Sequence, residues 1–253
     1  MLIFTTELLL AFVLVLARVS GVVALAPLPG ARLLPATARV ALAVVLAALL
    51  TPLASVRLAP AGPGTVAGWM IREAAFGVGV ALALQMLNEM LGMAAQLLGF
   101  QAGYSYINTV DPTSQVDATI LNVLLTLLGG LLLFAFDLHL AVVRALALSF
   151  ERIPAGEFVV APQAAMRLAR LGAAVFETAV RLAFPVVAVL LLLDLALALL
   201  SYVNARMQLL TLSFPVKMAV TMAVLAIICS SVPRLYEQLA RRAMGAVEAM
   251  LAR

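Results

Sequence analysis

Long apolar runs constrain the fold of this chain more than any other feature of its sequence. Turn-forming and charged residues separate six such blocks, at roughly residues 4–29, 38–55, 66–102, 118–150, 164–203 and 214–233. A helix that crosses a membrane needs about 20 residues, so the block at 38–55 is barely long enough and the third, fourth and fifth blocks exceed one crossing. The pattern therefore predicts long, broken helices or tight helical hairpins.

The composition shows that water cannot be the only solvent of this protein. The 253-residue chain contains 65% hydrophobic and 11% charged residues, whereas a soluble domain usually carries about 25% charged residues. A globule of this length could not enclose so much apolar surface, so lipid or hydrophobic partner subunits must cover it. The expected fold class is an all-α integral membrane protein.

The charged residues are few and scattered, with a formal net charge of +4. No block of cations is dense enough for a nucleic-acid patch, so no nucleic-acid partner is expected. After Pro233, apolar residues recur every three or four positions, which predicts an amphipathic terminal helix at the membrane interface or against a partner. The arginines of residues 234–253 suit a cytoplasmic end beside anionic lipid.

Two further segments lead to simple expectations. Residues 1–26 are predicted to be a retained membrane helix and not a signal peptide, because no cation precedes the apolar run and Arg18 interrupts it. Cys229 stands alone in an apolar run, which excludes an intramolecular disulfide and favours a packed core thiol.

Glycine and proline interrupt the long apolar blocks at defined places. Pro185 removes a backbone donor and is expected to kink its helix. Gly129 and Gly130 could form a hinge, a hairpin tip or a close-packing seam between helices. Gly99 and Gly103 are four residues apart and permit close packing around a narrow space.

Ionisable residues inside the apolar blocks are the second informative feature, because each costs about 2.5 to 3.5 kcal/mol at the bilayer centre unless it finds a partner or water. These residues are Arg18, Arg72, Glu73, Glu89, Asp137, His139, Glu177, Arg181, Asp194, Arg206 and Lys217. Glu177 and Arg181 are four apart with the acid first, which predicts a local ion pair. Asp137 and His139 are two apart and diverge by about 200° on a helix, which argues against a joint proton relay.

A polar stretch at residues 104–117 separates two very apolar blocks, and its composition does not favour a helix. Its first twelve residues are Tyr104, Ser105, Tyr106, Ile107, Asn108, Thr109, Val110, Asp111, Pro112, Thr113, Ser114 and Gln115. Irregular backbone at membrane depth requires protein or a water-filled cavity around it. The stretch therefore either lies outside the bilayer or lines an aqueous path.

Enzyme machinery is not visible in the sequence. There is no glycine-rich phosphate loop, no paired cysteine and no second histidine beside His139, so we expect no catalysis, no metal and no cofactor. A proton-coupled secondary transporter using Asp137, Asp194 or Glu89 stays an alternative, although the acids are not matched in two internal repeats.

Several motifs in one order resemble a known family. The segments Leu98 to Gly103 (LGFQAG) and Asp111 to Asp117 (DPTSQVD) resemble the central signature of the FliR family, subunits of the flagellar type III protein export gate. The other matching pieces are Arg18 to Gly21, Pro27 with Gly30, Pro35 with Arg39, Arg72-Glu73, Asp137 with His139, Ser149-Phe150 with Pro154 and Gly156, Phe184-Pro185, and Phe214 to Lys217.

Two places depart from the family pattern. The family commonly has Asp-Gly-His-His where this chain reads Asp137-Leu-His-Leu140, and a Pro-Gln pair where it reads Arg206-Met-Gln208. The related subunit of a virulence injectisome is the alternative within the same resemblance.

The resemblance implies one FliP-like part, at about residues 1–200, joined to a FliQ-like part at about residues 201–253. It implies assembly with FliP-like and FliQ-like subunits around a central conduit, with FlhB-like and FlhA-like export proteins nearby, in the inner membrane at the flagellar basal body. The substrates that the resemblance implies are unfolded secreted proteins, and the loop from Tyr104 to Gln115 is the expected plug of the closed pore. Burial against sister subunits is expected to shelter the intramembrane charges.

Overall fold

The computed structural model describes residues 2–25, 35–54, 62–103, 120–159, 161–203 and 209–251. Eight helices are found there: α1 (Leu2–Leu25), α2 (Ala36–Leu50), α3 (Pro63–Gln101), α4 (Ile120–Ala135), α5 (Leu138–Arg152), α6 (Pro162–Val203), α7 (Leu209–Ile228) and α8 (Val232–Leu251). Single turns of 3-10 helix follow α2 and α7. No strand occurs in these ranges, which confirms the all-α prediction.

The helices have the lengths that the apolar blocks predict. Five helical stretches of the described chain are long and apolar enough to cross a membrane: 7–25, 36–53, 64–101, 162–202 and 213–251. α3 has 39 residues and α6 has 42, so both exceed the span of one simple crossing. α4 and α5 form a sixth apolar stretch that is bent by 57°. The prediction of long helices is confirmed for α3 and α6, and that of a broken helix is confirmed for the fourth block.

The break between α4 and α5 lies at Asp137 and not at the glycine pair. Asp137 has φ 53°, in the left-handed region that ends a helix. α4 is continuous through Gly129 and Gly130, so these residues form neither a hairpin tip nor the bend. α6 is likewise continuous through Pro185, and the kink expected there stays a prediction.

One compact unit comprises Met1–Leu87, Gly130–Gly172 and Leu239–Arg253. Its core includes Leu14, Phe76 and Phe150, which are almost fully buried. α1 and α3 approach closely within it, because a Cβ on Gly77 would lie only 2.1 Å from the Arg18 carbonyl oxygen and one on Gly21 2.6 Å from the Ala74 oxygen. Glycine at both positions permits this backbone contact.

The other compact unit comprises Asn88–Gly129 and Ala173–Gln238. Leu98 of α3, Leu121 of α4 and Leu190 of α6 are buried in its core. Gly129 lies against α3, where a Cβ would meet Asn88 Oδ1 at 2.8 Å and Leu91 Cδ1 at 3.0 Å. Gly129 thus lies in close contact with α3, and the role of the glycine pair as a seam or a hinge stays a prediction. Both units combine segments from distant parts of the chain, and the FliP-like and FliQ-like division near residue 200 stays a prediction.

Two expectations about the carboxyl-terminal part need correction. The amphipathic helix exists as α8, but its apolar residues Leu239, Ala243 and Val247 are buried within this chain. Arg167 of α6 also donates from Nη1 to the Gly245 carbonyl oxygen of α8 at 3.2 Å. Cys229 is exposed and is not the packed core thiol that was predicted. The prediction failed because the surface of a membrane protein is itself apolar, so an apolar run does not indicate a buried core.

Candidate functional site

A fully buried ion pair lies between α1 and α3. Neither side chain of Arg18 or Glu73 is exposed, and Arg18 Nε donates to Glu73 Oε2. Arg18 Nη1 also donates to Ser149 Oγ of α5 at 2.7 Å, and Nη2 makes a longer bond of 3.4 Å to the Ile153 carbonyl oxygen. The guanidinium therefore joins α1 to α3, to α5 and to the turn that follows α5.

The second oxygen of Glu73 also has a partner. Glu73 Oε1 accepts the Gly156 backbone N–H at 2.8 Å. Gly156 has φ 94°, a conformation that glycine adopts with little strain and that turns its N–H toward the carboxylate. Ser149 Oγ donates in turn to the Leu146 carbonyl oxygen at 2.6 Å. Each charge thus has several hydrogen-bond partners, which is what burial of an ion pair requires.

Aromatic rings enclose the guanidinium. Arg18 Cζ lies 4.2 Å from the ring centre of Phe150 and 5.0 Å from that of Phe76. Phe158 packs edge-on against Phe76, with ring centres 5.1 Å apart. These rings exclude water and provide cation–π attraction, which strengthens when the cation is desolvated. We call Arg18, Glu73, Ser149, Phe150 and Gly156 the arginine cluster.

The arginine cluster corrects one expectation about shelter for intramembrane charges. Sister subunits were expected to cover them, yet Arg18 and Glu73 are sheltered entirely inside this chain. Arg72 and Glu73 are adjacent in sequence but differ completely in environment, since Arg72 is exposed. Consecutive residues of a helix point about 100° apart, so adjacency does not make them partners. The donors and acceptors of the cluster are used internally, which makes a structural role its best explanation.

A second group of polar side chains lies at the carboxyl end of α3. Lys217 Nζ of α7 contacts Asp194 Oδ1 of α6 at 2.5 Å, with the lysine side chain 17% and the aspartate side chain 39% exposed. Gln101 Nε2 of α3 donates to Asp194 Oδ2 over a long 3.5 Å. The group links α3, α6 and α7 within one compact unit.

Gly103 ends this part of α3 in close contact with α7. It has φ 82°, and a Cβ there would lie 2.7 Å from Cδ1 of the Phe214 ring. The Ala102 and Gly103 N–H groups donate to the Leu98 and Phe100 carbonyl oxygens at 2.9 and 3.3 Å. We call Gln101, Gly103, Asp194, Phe214 and Lys217 the α3-end cluster. Gly99, the other predicted close-packing position, is also buried.

The remaining predicted charges lie apart from these clusters. Glu177 and Arg181 form the predicted local pair, with Oε1 and Nη2 at 2.6 Å and both side chains more than half exposed. Asp137 is exposed in the bend, whereas His139 lies half-buried in α5 with its ring centre 4.9 Å from that of Phe134. Glu89 is exposed in α3. Asp137 and His139 belong to one compact unit, whereas Glu89, Glu177 and Arg181 belong to the other.

The predicted plug residues 104–115 lie outside the described residues, and so does Arg206. Within the described ranges, no group of three or more His, Cys, Asp and Glu side chains could hold a metal ion. An open groove of 540 Å³ runs between α3 and α6 in one unit, and its wall is apolar except for Gln96 and Gln101. The groove lining contains no acid, base or nucleophile.

Sequence reasoning did not anticipate the contacts of the arginine cluster. It singled out all five as separate pieces of the family motifs, and it named Arg18 and Glu73 also as intramembrane charges, without pairing them. Their sequence separations are large, since Glu73 is 55 residues from Arg18 and Ser149 is 131 residues from it. The available signal was that an arginine (Arg18), an acid (Glu73) and a hydroxyl (Ser149) each lie in a different apolar block.

Comparisons with known proteins cover most of the chain. The sequence model of the family described as bacterial export proteins, family 1, matches residues 9–243. The flagellar biosynthetic protein FliR of Pectobacterium carotovorum subsp. carotovorum is 28% identical over 88% of this chain and 85% of its own length. The FliR proteins of Escherichia coli K12 and Caulobacter vibrioides are 25% and 27% identical over 83% and 87% of this chain, and over 81% and 88% of their own lengths. The chain therefore belongs to the bacterial export proteins, family 1, the family of these flagellar biosynthetic FliR proteins.

Proposed function

We propose that this chain is a channel-forming subunit of the flagellar type III export gate, which passes unfolded flagellar proteins across the bacterial inner membrane. The observation that carries the proposal is the family match over residues 9–243, in a chain whose described part contains five helical stretches of membrane length. Membership in this family makes the chain a component of the flagellar export apparatus. Its proposed location is the inner membrane at the flagellar basal body.

Exposed apolar surface is available for assembly with other subunits. α4 exposes a stripe at helical spacing, formed by Ile120, Leu124, Leu127, Leu131 and Phe134. The second half of α6 exposes Leu191, Leu192, Leu195 and Leu199. Residues three or four apart lie on one side of a helix, so both stripes suit helix-to-helix contact. FliP-like and FliQ-like subunits are the proposed neighbours, with FlhB-like and FlhA-like proteins beside them.

The segment 104–115 is the proposed plug of the closed conduit. It follows Gly103, whose positive φ ends the regular course of α3. A plug needs only two arrangements that differ by a modest free energy, so that a passing substrate can displace it. The polar composition of the segment suits an aqueous path between apolar helices.

The proposed role requires no catalytic group and no cofactor. A proton-coupled transporter would need a carboxylate free to exchange protons within the membrane. Of the three carboxylates considered for that role, Asp194 is paired with Lys217, and Asp137 and Glu89 are both exposed and not enclosed among the helices. The injectisome subunit stays the alternative within the family resemblance, and neighbouring genes for flagellar or virulence components would distinguish the two.

Co-purification tests the assembly. The chain, carrying an affinity tag, is expressed together with FliP-like and FliQ-like proteins from the same genome and extracted in mild detergent. We expect one complex that contains all three proteins. Recovery of a stable, functional monomer from the same cells would contradict the proposal.

Deletion of residues 106–115 tests the plug. We expect the complex to assemble and the inner membrane to leak ions and small solutes, because the conduit has lost its closure. Membrane potential and solute uptake are measured in cells that contain the complete apparatus. Glu177→Gln, a change at an exposed side chain, is the control and should seal like the unmodified protein. An intact ion barrier in the deletion variant would overturn the plug assignment.

A further inference from the structure

The α3-end cluster unites three helices at the point where the chain leaves α3. Lys217 and Asp194 form its ionic part, Gln101 reaches the second aspartate oxygen, and the Phe214 ring fills the space beside Gly103. Residue 103 is the last described residue before the segment assigned above as the plug. At this end, α3 therefore contacts both α6 and α7.

Energetics distinguish this ion pair from a surface pair. Asp194 lies within a run of leucines in α6, and Lys217 lies within the apolar α7. An ionised group in such surroundings needs a partner, and removing one member leaves the other charge uncompensated. The exposed Glu177–Arg181 pair differs, because both members belong to α6 and the pair joins no second helix.

We propose that the Lys217–Asp194 pair, with Gln101 and Phe214, is a latch that fixes the carboxyl end of α3 and thereby keeps the export conduit closed. This inference rests on the gating role proposed above. Phe214 fixes the position of Gly103, and the ion pair fixes α7, which carries Phe214, against α6. Breaking the pair frees the end of α3 and shifts the equilibrium toward the open conduit.

Hydrogen exchange tests the latch independently of gating. The assembled complex is prepared with Lys217→Met or Asp194→Asn, and backbone exchange is followed over residues 98–103. Loss of the pair is expected to accelerate exchange of the Ala102 and Gly103 N–H groups by about tenfold, which corresponds to roughly 1.4 kcal/mol in the local opening equilibrium. Glu177→Gln in α6 is the matched control and should leave exchange unchanged.

Leak measurements then connect the latch with closure. In cells with the complete apparatus, Lys217→Met and Asp194→Asn should each raise ion leak by about tenfold, by the same shift of the opening equilibrium. The double variant should leak no more than either single variant, since both remove one interaction. Each strain is compared at equal amounts of assembled complex, which excludes a simple loss of protein.

The outcomes separate the latch from the plug. Unchanged exchange over residues 98–103 would overturn the latch, whatever the leak. A leak in the 106–115 deletion without a leak in Lys217→Met would also overturn it and would leave the plug assignment standing. Faster exchange and a leak in both latch variants would support the latch. Faster exchange in the latch variants, together with an intact ion barrier in the 106–115 deletion variant, would refute closure of the conduit by this region.

Discussion

Arg18 carries a permanent positive charge in a position without contact with solvent. An arginine side chain cannot be deprotonated in a protein, so burial leaves pairing as the only means of compensation. Glu73 provides the opposite charge, Ser149 and Ile153 accept further hydrogen bonds, and two aromatic rings cover the guanidinium. The residue therefore stabilises a contact among three helices at the cost of strict dependence on each partner.

Removal of one charge from this pair is the residue-scale prediction. Arg18→Met or Glu73→Gln should destabilise the assembled protein by about 3 to 5 kcal/mol. The first change leaves the Glu73 carboxylate, and the second leaves the Arg18 guanidinium, as a buried charge without its ionic partner. The double variant Arg18→Met with Glu73→Met should be less destabilised than the sum of the single variants. Thermal unfolding of the purified complex measures these differences.

Arg181→Gln is the control for that experiment, since Arg181 also pairs with a glutamate but lies exposed. It should change the stability by no more than about 1 kcal/mol. Equal effects of Arg18→Met and Arg181→Gln would show that the buried position confers no special dependence on pairing.

Backbone contact between two helices is the main feature at the scale of elements. α1 and α3 touch where Gly21 faces Gly77, and the contact lies one turn from Arg18 in α1. Glu73 lies one turn before Gly77 in α3, so the Arg18–Glu73 link lies beside this close approach. Glycine at the crossing and the buried ion pair are thus parts of one packing arrangement.

Gly77→Ala is the element-scale prediction. The added methyl group would lie 2.1 Å from the Arg18 carbonyl oxygen, so α1 must move away from α3. We expect a loss of stability of about 1 to 3 kcal/mol or more from overpacking against backbone atoms. Gly68→Ala in the same helix is the matched control, because nothing lies within 4 Å of its added Cβ.

The control should be neutral or slightly stabilising, since alanine favours a helix by about 1 kcal/mol relative to glycine. Thermal unfolding and the yield of the complex distinguish the two variants. If Gly77→Ala and Gly68→Ala had equal effects on thermal unfolding and yield, the crossing of α1 and α3 would tolerate more separation than the structure indicates.

At the scale of the whole molecule, α4 and α6 carry long apolar stripes that the described part of the chain leaves uncovered. Lipid tails could cover such stripes as well as protein could, so exposure alone does not distinguish the two. The distinction lies in packing: lipid tails fill the space left by a shortened side chain, whereas a rigid partner helix leaves a cavity.

Leu124→Ala combined with Leu127→Ala is the prediction at this scale. If FliP-like or FliQ-like helices cover α4, the complex should lose about 2 kcal/mol or more and release partner subunits during purification. Membrane insertion of the chain should be unchanged, because alanine remains apolar. The fraction of partner subunits retained on the tagged chain is measured. Full retention in the double variant would assign this stripe to lipid.

Much of the helical architecture follows from the sequence by itself. Block length and interruption predicted long helices, and α3 and α6 have 39 and 42 residues. The i to i+4 spacing of Glu177 and Arg181 predicted their ion pair, which the structure contains. These features depend on residues near one another along one helix, where spacing determines geometry. The family match was likewise apparent from motifs in a common order.

Only the tertiary structure decided which distant residues meet. Arg18 pairs with Glu73 and Ser149, the bend falls at Asp137 and not at Gly129, and the apolar face of α8 packs inside the chain. The sequence places each residue on a helix, but the crossing and rotation of two helices depend on the shapes of both surfaces. Contacts such as the arginine cluster therefore arise from packing among helices, whereas helix length and local pairing arise from the order of residues along one helix.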